Sequence, residues 1–220
     1  MKKKVVIVHT SLVSRDELNQ LFAELIPEAE VSNIVDDSLL AEVSANGAVT
    51  PGIIGRMCKY FDCAQSLGAD LIFNQCSSVG EAAAIAAKTV KVPVLRVDEA
   101  MAEEAVRLGS RIGVVATVGS TVAPSCNLVR RKAEAAGKAV EVVPYLVDGA
   151  LKVLMEEGRE KHNQLMRGVV EQCAAECDVV VLAQGSMTVL LPDLAGISKP
   201  VLSSPRMGVE KARKLLFPEG

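Results

Sequence analysis

The sequence predicts an α/β protein of two pseudo-symmetric lobes, each a parallel sheet flanked by helices. Strand-length apolar runs alternate with helical periodicity from one end to the other. The runs are near-continuous Val, Ile and Leu, the pattern of parallel strands covered on both faces by helices. The chain is also written twice. Asp70-Leu71-Ile72-Phe73-Asn74-Gln75-Cys76-Ser77-Ser78 returns as Asp178-Val179-Val180-Val181-Leu182-Ala183-Gln184-Gly185-Ser186-Met187 if one residue is inserted. Val92-Pro93-Val94-Leu95 returns as Lys199-Pro200-Val201-Leu202 at nearly the same shift. This pairing sets Gly185 against Cys76, and in a duplicated α/β unit equivalent strand ends are expected to meet across the cleft.

In order, strands are expected at 4–9, 70–74, 92–97, 111–116, 140–144, 178–183 and 200–202, and helices at 14–25, 52–67, 80–88, 99–108, 123–136, 162–176 and 208–216. Residues 33–50, with Asp36-Asp37 and Asn46-Gly47, have weak periodicity and read as a mobile loop near the site. The first lobe is expected over 1–109, with a C-terminal helix over 205–220 packing back onto it, and the second over 110–204. Pro124 suits the first turn of the helix expected after the strand at 111–116.

The 220 residues are 50% hydrophobic, enough for two small cores. An aromatic content of 3%, no Trp and a net charge of −3 exclude stacking platforms and phosphate-backbone binding, so no nucleic-acid partner is expected. No apolar run approaches membrane-spanning length, and Lys2 to Lys4 read as a solvated lead into the first strand of a cytoplasmic protein. The six cysteines and two histidines lack zinc-site spacing, so no metal is expected; Cys173 and Cys177, one helical turn apart, read as small apolar residues on a helix face. No G-x-G-x-x-G follows any strand, which argues against a nicotinamide cofactor.

Ligands of such sheets lie beyond the carboxyl ends of the strands. Four ends share small polar groups: His9-Thr10-Ser11, Cys76-Ser77-Ser78, Thr117 with Ser120-Thr121, and Gln184-Gly185-Ser186. Cys76 stands just ahead of a segment resembling a helix N-terminus, with Ser77 or Ser78 as cap and Glu81 completing a capping box. Unpaired N–H groups there would favour a reactive sulfur and hold a substrate carboxylate; the plainer alternative is a buried structural cysteine. Thr117, Ser120 and Thr121 suit a carboxylate or carbonyl, or simply cap the helix after them. His9 reads either as a general base or as a structural hydrogen-bonder. Arg15, Arg96 and Arg206, near strand ends, are candidate partners for an anionic substrate.

These residues carry a resemblance. The duplicated halves, the turn from Asn74 to Ser78, the strand from Arg111 to Thr117 with Ser120-Thr121 after it, and the strand from Val179 to Ser186 resemble the aspartate/glutamate/hydantoin racemase superfamily over essentially the whole chain. The resemblance implies an isomerase without cofactor, in which two cysteines from the two halves take and give a proton alpha to the carboxylate of a small acid. Cys76 matches the first cysteine; Asn74, Ser77, Ser78, Thr10, Ser11, Thr117, Ser120 and Thr121 fall at substrate-binding positions. The second cysteine falls on Gly185, or one residue on at Ser186, whose hydroxyl is too weak an acid to replace it unaided. One thiol also fits a lyase resembling arylmalonate decarboxylase, or a small-carboxylate binding protein that has lost its chemistry. The expected partner is a small carboxylate or amino-acid-like substrate, with a homo-oligomer left open.

Overall fold

The computed structural model describes residues 2–218. β1 (Lys3–His9) is a Val/Ile run buried from Val5 onward. α1 (Arg15–Leu25) has Asp16 and Glu17 in its first turn, favourable against the helix dipole, and buries Leu18 and Phe22 one turn apart. β2 (Ala29–Val35) pairs with β1 along its whole length. α2 (Ser38–Asn46) ends on Gly47 in left-handed backbone, and α3 (Pro51–Ser66) starts on Thr50, whose hydroxyl accepts the Ile53 N–H at 3.2 Å. β3 (Leu71–Asn74), a 3-10 turn at 77–79, α4 (Gly80–Ala86) and β4 (Val94–Arg96) follow.

The second half repeats the plan. After α5 (Glu99–Leu108) come β5 (Arg111–Ala116), α6 (Gly119–Ala135), β6 (Glu141–Leu146), α7 (Ala150–Glu156), α8 (Arg159–Glu176), β7 (Val179–Leu182), a 3-10 segment at 185–194, β8 (Val201–Ser203) and α9 (Ser204–Leu216). The sheets run β2-β1-β3-β4 and β6-β5-β7-β8, all parallel. Parallel neighbours need a crossover, and helices supply each one. Pro144, which cannot donate to a ladder, lies on edge strand β6.

Two units result, residues 1–99 with 205–220, and residues 100–204. The division lies at Glu99–Ala100, ahead of the Gly109–Ser110 turn read from the sequence. α5 is tied to α6 and the residues after it: Lys132 pairs with Glu103 at 2.9 Å, and Lys138 donates to the Val106 and Gly109 carbonyls. α9 belongs to the first unit. Its Val209, Ala212 and Leu216 pack with Val5, Ile7, Phe22, Phe73 and Val97. Phe22 and Phe73 meet edge to face at 5.3 Å there, worth about 1 kcal/mol beyond burial. The other face of the same sheet is covered through Leu39, Val43, Ile53, Met57, Phe61 and Ala83.

Two readings of local structure are corrected. Residues 33–50 are not a loop: they finish β2 and form α2. Leu39 and Val43 are buried, and Asp36 accepts hydrogen bonds from Ser38 N (3.1 Å), Tyr60 Oη (2.7 Å) and Arg56 Nη1 (3.0 Å). Burial pushes the Asp36 pKa up, but these bonds and the Arg56 charge more than offset it and hold the group ionised. α6 begins at Gly119 rather than 123, so Pro124 lies inside the helix and not in its first turn. At the sixth helical position the proline removes the N–H that would otherwise bond the Ser120 carbonyl.

Candidate active site

In the first unit the carboxyl ends of β1 and β3 bring His9, Thr10, Ser11, Asn74, Cys76, Ser77 and Ser78 together at one edge of the sheet, with Val8 and Asn74 in register. Cys76 is extended (φ −114°, ψ 123°) and 7% exposed, and the 3-10 turn starts on the next residue. Asn74 holds it: Nδ2 donates to the Cys76 carbonyl at 2.9 Å, while Oδ1 is buried with no hydrogen-bond partner among the described residues. Val79, not Ser78, occupies the cap position of α4, so the expected capping box falls one residue off. Ser77 and Ser78 are buried within the turn.

His9 is fully buried. Its Nε2 lies 2.8 Å from Asn33 Oδ1 and its Nδ1 has no partner among the described residues. Burial lowers its pKa, the Asn33 hydrogen bond works the other way, and the Arg15 charge lowers it further. A neutral imidazole donating from Nε2 satisfies this arrangement and leaves Nδ1 an acceptor.

The three arginines read as candidate anion partners are all engaged. Arg15 pairs with Asp16 at 2.8 Å, and Arg206 on α9 with Glu24 of α1 at 2.9 Å. Arg96 is buried in a two-pronged pair with Asp98, Nε to Oδ1 at 3.0 Å and Nη2 to Oδ2 at 2.7 Å. A carboxylate at this edge would therefore meet neutral donors first.

In the second unit Thr117, Ser120, Thr121, Gly185 and Ser186 lie at the carboxyl ends of β5 and β7. Gln184, not assigned a role from the sequence, organises them. Its Oε1 accepts the Thr117 N–H at 3.1 Å and its Nε2 donates to Thr121 Oγ1 at 2.7 Å. Gln75 makes the matching bond in the first unit, Nε2 to Ser14 Oγ at 2.6 Å. The signal was a Gln at each repeated strand end.

The same backbone hydrogen bonds recur inside each unit and identify its equivalent positions. Asp70 N donates to Lys4 O as Asp178 N does to Arg111 O, at 2.7 and 2.8 Å; Ile72 N to Pro93 O as Val180 N to Pro200 O, both at 2.9 Å; Gln75 N to Val8 O as Ala183 N to Val115 O, at 3.1 and 2.9 Å. Every residue of β3 thus matches the residue 108 positions later, with no insertion. The counterpart of Cys76 is Gln184, equally extended (φ −119°, ψ 139°) and likewise the last residue before a 3-10 segment. The sequence pairing of Cys76 with Gly185 is therefore one residue out. It was drawn by matching Gln75 to Gln184, which do the same work for Ser14 and Thr121 from adjacent backbone positions.

A duplicated parallel α/β unit with a cysteine at one repeated strand end and small hydroxyl residues at the others defines the class. The chain belongs to the Asp/Glu/hydantoin racemase family, which it matches over residues 5–212. No curated protein matches it. Among solved structures it is similar to an aspartate racemase homologue from Pyrococcus horikoshii OT3 (18% identity, TM-score 0.76, 98% of this chain and 99% of that one). It is also similar to a glutamate racemase from Bacillus anthracis (15%, 0.70, 97% and 81%) and an allantoin racemase from Klebsiella pneumoniae (17%, 0.65, 100% and 95%). At these identities the structures share the fold.

Proposed function

We propose that this member of the racemase family is a cofactor-independent isomerase-like enzyme that moves a proton alpha to the carboxylate of a small, amino-acid-like acid. Cys76 is the group that moves it, from one face only. The Cys76 thiolate takes the α-proton, the electron pair enters the carboxylate as an enolate, and the same thiol returns a proton, which gives exchange with retention; inversion requires a second donor on the other face. Asn74, Thr10, Ser11, Ser77 and Ser78 in the first unit are proposed to hold the substrate by neutral hydrogen bonds; Thr117, Ser120, Thr121, Gly185 and Ser186 are the polar residues at the corresponding strand ends of the second unit.

One observation carries the reading: the backbone counterpart of Cys76 is an amide, not a thiol, and both ends of that amide are engaged by the neighbouring turn after β5, at Thr117 and Thr121. An amide is neither acid nor base near neutral pH, so the counterpart position supplies no second proton donor. The same observation favours a second reading, a one-thiol lyase. There a malonate-type substrate loses carbon dioxide and the resulting carbanion takes its proton from Cys76.

The test is incubation in D2O with a panel of amino acids, hydantoins and substituted malonates, read by NMR and chiral chromatography. Exchange of the α-proton with retention, abolished by Cys76→Ser, supports the first reading; decarboxylation abolished by the same change supports the second. Turnover that survives Cys76→Ser overturns both, and binding without exchange or decarboxylation marks a relict.

A further inference from the structure

Arg96 ends β4, in register with Asn74 of β3. Neighbouring residues in register on parallel strands project from the same face, and Cys76, two residues after Asn74, packs on that face with Val8 and Ile72. Its guanidinium lies flat against the start of α4: a β-carbon added to Gly80 would fall 2.3 Å from Arg96 Cζ and within 2.5 Å of both terminal nitrogens. Only glycine leaves room for it. Asp98 then grips the guanidinium from the side with two hydrogen bonds, at 4% and 1% side-chain exposure for the pair.

Such a pair is an expensive way to hold a turn. Two desolvated charges rarely stabilise more than apolar residues of the same volume would. It does provide a cation that cannot swing away from the start of α4, four residues after Cys76. Burial pushes the Arg96 pKa down, but the Asp98 carboxylate and its hydrogen bonds, then Glu99, then the Cys76 sulfur raise it above the ordinary arginine value. Asp98, Glu99 and Cys76 are thus the titratable groups felt by the guanidinium, and Lys211 of α9 answers Glu99 at 3.5 Å.

We propose that Arg96, locked by Asp98 and seated on Gly80, is the positioning residue that keeps a fixed positive charge beside the Cys76 turn. The inference rests on Cys76 being the reactive group of the proposed function. Arg96 acts through the sulfur and does not bind substrate, because Asp98 takes its Nε and Nη2 and the side chain is buried at 4% exposure.

The test reads the sulfur directly. In a Cys58→Ala, Cys63→Ala background, which removes the two more accessible thiols, iodoacetamide modification of Cys76 is followed by mass spectrometry between about pH 5 and pH 10, bracketing the ordinary thiol range. Arg96→Gln should slow the modification at a fixed pH near neutrality, as the loss of a nearby opposite charge does. Asp98→Asn should speed it, because the guanidinium is no longer neutralised. Opposite changes are a result that a merely structural role does not give.

Asp98→Asn leaves a buried charge unpaired and can fail to fold. The double variant Arg96→Gln/Asp98→Asn leaves no unpaired buried charge and should still react more slowly than the parent, because the cation rather than the carboxylate lies against the Cys76 turn. Unchanged rates, or changes of one sign in both single variants, overturn the proposal. The readout needs no substrate, so Cys76→Ser retaining turnover would defeat the functional reading while leaving this result to stand or fall by itself.

Discussion

Cys76 and Gln184 occupy the same place in the hydrogen-bond register of their units, each in extended backbone immediately before a 3-10 segment. One position carries a thiol and the other an amide whose oxygen and nitrogen are both committed to the neighbouring turn after β5. The two halves share one backbone register and differ in the side chain it carries at this position.

Gln184→Cys is therefore the change that restores a thiol at the matching position. On any substrate whose α-proton the parent exchanges, inversion relative to exchange should rise, modestly because the Thr117–Thr121 clamp is lost with the glutamine. Gly185→Cys should not raise it. Chiral chromatography beside the NMR exchange rate decides the matter: a gain with Gly185→Cys and none with Gln184→Cys would show that the register argument misplaces the second face.

Gly113 in β5 has the sulfurs of Cys173 and Cys177 against it, 2.0 and 3.1 Å from where a β-carbon would lie. Gly113→Ala should cost about 1–3 kcal/mol in urea unfolding, the usual range for overpacking. Adding Cys173→Ala should recover part of that loss. The pair of thiols thus packs on a glycine, and Cys173, its pKa raised first by burial and then by Cys177, is expected to be slow toward alkylating agents.

Val209 of α9 is fully buried against the first sheet. Truncation to alanine should cost about 2 kcal/mol through lost burial and the cavity left behind. Hydrogen exchange should accelerate at β1 and β3 amides and stay unchanged at β5 and β7. Uniform acceleration would mean that α9 supports the whole chain equally.

His9 makes stability depend on pH in a defined window. Its folded pKa is below its unfolded one, which is about 6.5. On acidification the unfolded chain takes up the proton first, so stability is full above about pH 6.5 and falls until the lower, folded pKa is reached. Asp70 and Asp178, held low chiefly by backbone N–H donors, add their loss only in stronger acid, below about pH 4. Urea midpoints at pH 7.5 and 5.5 should differ more for the parent than for His9→Gln.

The buried strands were legible because a parallel sheet covered on both faces demands unbroken apolar runs. β2 was not: it is an edge strand with Glu30, Ser32 and Asn33 among its residues, alternating in exposure and carrying no continuous signal. α2 is held by tertiary contacts of Leu39, Val43 and Asp36 that local pattern does not record. The polar strand ends could be read directly. The identity of the residue matching Cys76 could not, because a shared side-chain task placed Gln75 and Gln184 one backbone step apart. The Arg96–Asp98 pair was hidden for a different reason: residues two apart become partners only where the strand ends and the chain bends back.

The allocation of α9 to the first unit sets an order of events during synthesis. When residues 1–99 have left the ribosome, the sheet face bearing Ile7, Phe73 and Val97 still lacks Val209, Ala212 and Leu216. The second unit has every one of its residues by Ser204. The half that is translated first is the half that matures last, and for the time needed to make the intervening hundred or so residues it presents an uncovered apolar face to the nascent-chain environment.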